Sequence, residues 1–339
     1  MPVKTRNLVI GCSAGLAAVI AAALCCFLCL PEEGLPASGQ KVIQYVEFNP
    51  TYAALDRALA EDIRAHEDGE ERDWIDTLSY LGAKYGGDFS RYQAKDMDAL
   101  FQALDEGETI ETLTEKMEHY AYYREAYGAV LDGLVGEYQE EKEQDGQTVW
   151  QDCYGLKAFF PLARNFSYEH YNDFGARRTY GYTRPHLGHD MMAATGTPVV
   201  AIESGVVEVM GWNQYGGWRI GIRSGEGRRY YYYAHLRQNR PFAQGLEEGQ
   251  QVQAGQVIGY VGHTGYSTQE NVNNIQIPHL HLGLELIFEE SQKESDNEIW
   301  VDVYALTQLL SRHTSETVRN PETKEHTRRF AFEETVAEE

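Results

Sequence analysis

Between positions 159 and 288 the chain is written as short apolar runs, each closed by a glycine-bearing turn. Residues 199–202 form one such run after Gly196 and Pro198. Val206, Val207, Val209 and Met210 follow the turn at Ser204-Gly205. Trp218, Ile220 and Ile222 alternate with smaller or polar residues. Residues 224–227 read as a hairpin loop, and 228–234 return as a tyrosine-rich strand. Val257, Ile258, Tyr260 and Val261 make another strand, and 280–287 the last long one. Many short strands joined by glycine turns predict an antiparallel sandwich or a barrel-like domain, placed at 151–312.

The preceding part has a different period. Leu55, Leu59 and Ile63, then Trp74, Leu78 and Leu81, recur at helical spacing and stop near Gly86-Gly87. Met97, Leu100, Phe101 and Leu104 form a second stripe. Leu113, Met117, Tyr120 and Tyr123, continued by Tyr127, Val130, Leu131 and Leu134, form a third. Residues 46–150 are therefore predicted as a helical region, with a charged, solvated stretch at its end around Glu140–Asp145. A spacer, a regulatory element or a surface for a protein partner would all look like this. Residues 313–339 are polar and charged and read as a tail, more in keeping with disorder than with a partner site. A closing helix is expected over 302–310.

Residues 8–30 carry no charge and are almost wholly apolar. As a helix they would span about 34 Å at ~1.5 Å per residue, enough to cross a hydrocarbon core of ~30 Å. Lys4 and Arg6 precede the run, and Glu32 and Glu33 follow it. This predicts a cytoplasmic tail at 1–7, a single-pass anchor at 8–30, a linker at 31–45 and the remainder on the outer side of the cell membrane. A cleaved leader is the competing reading, with Ala37 and Gly39 as small residues near a cleavage site. The overall expectation is an α+β chain: membrane helix, helical middle, antiparallel β domain.

The formal net charge of -23 speaks against nucleic acid, whose phosphates need lysine and arginine. Four of the five cysteines, Cys12, Cys25, Cys26 and Cys29, fall in the first thirty residues. Only Cys153 remains, so the folded part has neither an internal disulfide framework nor a cysteine-rich zinc site.

The histidines carry more information. His186-Leu187-Gly188-His189-Asp190 places His186 and Asp190 on one face of an extended chain. His235 ends the tyrosine-rich strand, and His279-Leu280-His281 puts two imidazoles on one face of another. Two histidines and one aspartate leave a fourth position open for water, the arrangement of a catalytic rather than a structural zinc. Each piece alone is weak. Their combination, in this order and within one β domain, is not. Tyr230 to Tyr233, Trp212 and Trp218 were weighed as walls of a peptide groove against a place in the core, and the core is favoured.

With those residues in view, the stretch from 180 to 309 resembles the lysostaphin/LytM-type zinc endopeptidases of bacterial cell walls. The resemblance rests on H-L-G-H-D at 186–190, G-T-P-V-V-A at 196–201, Y-A-H-L at 233–236, the 255–265 glycine pattern and H-L-H at 279–281. It implies that His186, Asp190 and His281 bind one Zn2+, that His235 and His279 are the catalytic histidines, and that the substrate is a peptidoglycan peptide. Residues 266–277 are an insertion relative to many members and are expected to reshape the groove. The alternative is a catalytically silent scaffold or regulator in a septal or sporulation complex, which would usually lack one of the five polar residues. A biotinyl or lipoyl carrier is excluded, because no lysine lies between Lys157 and Lys293.

Overall fold

The computed structural model describes residues 46–179, 181–293, 295 and 297–334. The expected anchor at 8–30 and linker at 31–45 lie outside the described residues. Among the described residues, no helix is long and apolar enough to cross a membrane.

The chain is α+β. Helices at Tyr52–Asp68, Trp74–Tyr85, Ala94–Asp105, Ile110–Thr114 and Tyr120–Leu131 come first. Their ends follow ordinary capping chemistry. Thr51 accepts from the amide of Ala54, Asp73 from that of Ile75, and Gly69 and Gly86 close their helices in the left-handed conformation. Asp62, buried in the first helix, accepts from the Trp74 amide at 3.0 Å and the Tyr154 hydroxyl at 2.7 Å. One carboxylate thus pins two helices and a strand together. His66 of the same helix stacks on Tyr154 at 3.6 Å.

The main sheet is antiparallel. Its order is Gln251–Val252, Gly205–Asn213, Gly217–Ser224, Arg229–Ala234, His279–Leu286, His189–Ala193, Tyr168–His170, with Ile299–Trp300 also paired to His279–Leu286. A small two-stranded sheet, Pro198–Val200 with Val257–Tyr260, packs beside it. The expected closing helix is present as Tyr304–Leu310. Leu306, Leu309 and Leu310 share one continuous core with Leu55, Leu78, Leu100 and Tyr127 of the helical region and with Ile220 and Leu284 of the sheet. The described residues belong to one compact unit. The helical region is therefore a layer against the β domain and shares its core.

Two sequence expectations are corrected. The end of the region read as helical folds as a hairpin, Val135–Gln144 with Gln147–Leu156. The polar tail contains the strands Thr317–Arg319, His326–Arg328 and Phe332–Glu334, and the last pairs with Val135–Gln144. Phe332 is the reason. It is fully buried against Tyr138 and Phe159, with ring centres 5.2 and 5.4 Å away. A single aromatic anchor holds a segment whose composition reads as solvated.

His313 begins this returning segment. It stacks on Phe159 at 3.9 Å and donates from Nδ1 to the Ala158 carbonyl at 3.0 Å. Burial pushes its pKa down to about 4, against the helping hydrogen bond. The folded state keeps it neutral while the unfolded chain takes up a proton near pH 6.5, so stability is lost as pH falls from about 6.5 to 4. The melting temperature should drop over that window. His313→Phe should drop less in thermal melts at pH 7 and 4.5, and an equal drop in both proteins would remove His313 from the account.

Candidate metal centre

The site is built on two neighbouring strands of the main sheet, His279–Leu286 and His189–Ala193. His281 pairs directly with Asp190 across the antiparallel ladder between His279–Leu286 and His189–Ala193, so register alone places imidazole beside carboxylate. His186 reaches the same point from the bend just before the strand. Gly188 makes this possible. A Cβ there would lie 2.7 Å from the His281 ring and 2.5 Å from the Leu282 carbonyl. The room that the missing side chain leaves is taken by the His281 ring.

His186 Nε2 and His281 Nδ1 are 2.7 Å apart, and Asp190 Oδ1 lies 3.2 and 3.3 Å from them. Among the described residues these three form the group able to hold a metal ion. A tetrahedral zinc with bonds of about 2.0–2.1 Å separates its ligand atoms by about 3.3 Å, so the triangle has the right size and donors. Its chemistry also fits. Two ring nitrogens and a carboxylate oxygen meet at one point, where one cation satisfies all three. Zinc is the cofactor that this donor set and the family reported below both imply.

The charges around the triangle are fixed by its neighbours. Burial works against protonation of His186, but the Asp173 and Asp190 carboxylates overcome it and raise its pKa to about 9. Burial would raise Asp190, yet its bonds to His186 and His281 hold it well below the usual carboxylate range. Burial drives His281 down to about 4. Metal binding must therefore displace a proton from His186.

Asp173 and Arg178 belong to the site and were missed in the sequence, where neither sits in a motif. The Asp173 carbonyl accepts from His186 Nδ1 at 3.2 Å, which turns Nε2 towards the ion position, and its carboxylate lies equally close. Arg178 Nη2 bridges Asp173 Oδ2 at 2.6 Å and Asp190 Oδ2 at 2.9 Å, occupying the carboxylate oxygen that does not face the ion. Partners of this kind orient ligands, and removing one typically costs about 10–100-fold in metal affinity. Asp173→Ala keeps that carbonyl and removes the carboxylate beside His186 Nδ1 and Arg178, and should weaken zinc binding by that factor in a competition titration against a chromophoric chelator; unchanged affinity would deny the carboxylate an orienting role.

The two remaining histidines stand beside the triangle. His235 donates from Nδ1 to the Thr264 carbonyl at 2.9 Å, and His279 from Nδ1 to the Ile277 carbonyl at 2.8 Å. Both are thereby set with Nε2 as the acceptor. Their rings are 4.8 Å apart, and His279 Nε2 is 3.5 Å from Asp190 Oδ1. Burial, reinforced by His279 and His281, holds the His235 pKa well below its ordinary value, so it is neutral near pH 7. Its backbone has a φ of 61°, a costly conformation for a non-glycine residue, fixed by backbone bonds to Gly216 and Gly262.

An open groove of about 310 Å³ is lined by His186, His235 and His281 and bordered by Tyr182, Arg184, Tyr215, Tyr266 and Trp300. Of the aromatic residues weighed in the sequence, only Tyr232 lines it; Tyr230, Tyr231 and Tyr233 are buried. Trp218 instead packs against Trp212 and donates to Asn271 at 2.9 Å, anchoring the 266–277 loop that carries Tyr266 to the groove. His263 pins the same loop by donating to the Ile275 carbonyl at 2.8 Å. His189 is fully buried on the other face, 3.1 Å from Asp302, away from the ion position.

Comparison with known proteins agrees with this geometry. The sequence pattern of peptidase family M23 matches residues 184–294. The L-Ala--D-Glu endopeptidase of Bacillus subtilis (strain 168) is 44% identical over 125 residues, covering 37% of this chain and 37% of the relative. Lysostaphin of Staphylococcus simulans is 40% identical over 98 residues, covering 29% of this chain and 17% of that protein. The chain thus spans little more than a third of the first relative's length and less of the second. A solved structure of a proposed glycyl-glycine endopeptidase lytM from Ruminococcus gnavus ATCC 29149 has the same fold, with a TM-score of 0.53 at 22% identity. That likeness covers 83% of this chain and 94% of the other, more than the β domain alone supplies. A His2Asp triangle on adjacent strands, two buried histidines beside it and a family match across the first ligands and the strand bearing the last make residues 184–294 a peptidase family M23 domain of the lysostaphin/LytM type.

Proposed function

We propose that the chain is a zinc-dependent endopeptidase that hydrolyses peptide bonds in the stem peptides or cross-bridges of bacterial peptidoglycan during cell-wall remodelling. The observation that carries this reading is the clustering of His186, Asp190, His281, His235 and His279 beside one open groove, which His186, His235 and His281 line. A silent scaffold has no need of all five. The resemblance to relatives named as endopeptidases, one of them a peptidoglycan DD-endopeptidase of Vibrio cholerae, supports the substrate class.

His186, Asp190 and His281 would hold the ion. When bound there, zinc supplies Lewis acidity to the scissile carbonyl and lowers the pKa of bound water towards ~7. The protein's own residues carry the proton. The water oxygen adds to the carbonyl carbon as its proton passes to a neutral imidazole Nε2 of the His235–His279 pair. The C–N bond then breaks, and the same proton goes to the leaving amine. The second imidazole, its Nδ1 also held by a backbone carbonyl, accepts a hydrogen bond at Nε2 and orients the attacking water. The groove holds the peptide extended between the Tyr182–Tyr266 wall and Trp300.

The same proposal places the enzyme on the outer side of the cell membrane, held by residues 8–30 with the N-terminus cytoplasmic. Support comes from the uncharged run and the Lys4 and Arg6 before it. Release of the protein from membranes by alkaline carbonate would refute the anchor.

The test is digestion of purified peptidoglycan by the full chain with zinc, followed by mass spectrometry of the products. New peptide amino termini are expected, and their masses name the bond. Intact peptidoglycan after incubation with zinc-loaded protein would contradict the proposal.

A further inference from the structure

We infer that Thr264 is a positioning residue of the site: its hydroxyl holds the chain corner from which His235 points, and so sets where His235 Nε2 stands. The geometry is independent of any substrate; the effect on turnover rests on the peptidase reading above.

The corner is irregular. Tyr233 stands opposite Ile220 in the ladder between Arg229–Ala234 and Gly217–Ser224. Three residues on, the Leu236 amide donates to the Trp218 carbonyl at 3.0 Å, only two residues back on the partner strand. The strand leading to His235 thus holds one residue more than its partner. An extra residue of this kind bends a strand and re-aims a side chain, and it breaks the ladder locally. His235 absorbs the bend with its φ of 61°, a conformation that persists only where the surroundings fix it.

Thr264 repairs the broken ladder. A regular pair would return a bond from the Trp218 amide to the Leu236 carbonyl. Here the Thr264 hydroxyl stands between the two. Oγ1 accepts from the Trp218 amide at 3.1 Å and donates to the Leu236 carbonyl at 2.6 Å. Three hydrogen bonds therefore close a ring through Leu236, Trp218 and Thr264. Thr264 is fully buried, and without the hydroxyl both backbone groups would be left unpaired away from water.

The same residue holds the imidazole, because His235 Nδ1 donates to the Thr264 carbonyl at 2.9 Å. Thr264 thus fixes both the backbone that His235 leaves and the ring nitrogen that sets Nε2 as the acceptor. Gly217 makes its seat: a Cβ there would lie 2.5 Å from Thr264 Oγ1 and 2.4 Å from its carbonyl carbon. His279 is held instead by the Ile277 carbonyl, which makes its ring an internal reference.

The test uses the zinc-loaded full chain with isotope-labelled histidine. The bonded Nδ1–H protons of His235 and His279 are identified by NMR through their absence in His235→Ala and His279→Ala. Thr264→Val removes the hydroxyl at nearly constant volume. It should lose the His235 proton to exchange with water, keep that of His279, and keep its zinc. On peptidoglycan kcat should fall about 10²-fold with KM little changed, the effect of a misplacement of ~1 Å. Thr264→Ala carries the same expectation should the valine variant not fold. Thr264→Ser keeps the hydroxyl and should restore the proton signal and most of kcat. A native His235 signal or a native kcat in Thr264→Val would overturn the assignment. So would equal losses in Thr264→Ser, or loss of zinc or of the His279 proton together with that of His235. Should the native chain leave peptidoglycan uncut, the peptidase reading falls and the proton signals alone decide the role of Thr264.

Discussion

His281→Ala loses zinc and activity together. His281 contributes one of three donor atoms, at 2.7 Å from His186 Nε2 and 3.3 Å from Asp190 Oδ1. The remaining His–Asp pair leaves a zinc ion short of the three protein ligands that a catalytic site needs. Peptide hydrolysis should fall to the level of chelator-treated native protein, and metal analysis should show less than a tenth of an equivalent per chain, an order-of-magnitude expectation from the missing ligand. The melting temperature with added zinc should also lose the gain that ligand binding gives the native protein. Retention of a full equivalent of zinc would mean that the ion sits elsewhere.

His235→Ala and His279→Ala separate the two halves of the site. Each imidazole is held by a backbone carbonyl and not by the triangle, so either can be removed with the three donors in place. Zinc content should remain near one equivalent. Turnover should fall by about 10²–10⁴-fold, the usual contribution of a positioned acid–base group. The two should not add in the double variant if they act on one proton path. Loss of zinc from His279→Ala would make it a ligand, a real alternative given its 3.5 Å approach to Asp190.

That His186, Asp190 and His281 come together was legible in the sequence because strands carry chemistry at short, regular spacing. His279 and His281 are two apart, and antiparallel register then brings Asp190 opposite His281. Most strand limits were legible for the same reason. Asp173 and Arg178 were not, because one lies in irregular chain and the other in a two-residue strand, where tertiary contacts alone aim a side chain. The Val135–Gln144 strand was missed since Tyr138 is its one buried residue and the charges from Glu140 onward read as a solvated stretch. Phe332 was invisible for a related reason: one apolar residue in a charged tail leaves no period to detect. The aromatic run at 230–233 shows the limit of composition, since alternation across the sheet buries Tyr231 and Tyr233 and sends Tyr232 to the groove.

The most direct test of the central claim is a titration of metal-free protein with zinc while hydrolysis of peptidoglycan is followed. The account predicts that activity is absent without zinc, rises linearly, and levels off at one equivalent per chain, with His281→Ala silent throughout. Activity in the metal-free protein, or in His281→Ala at the same zinc level, would contradict it.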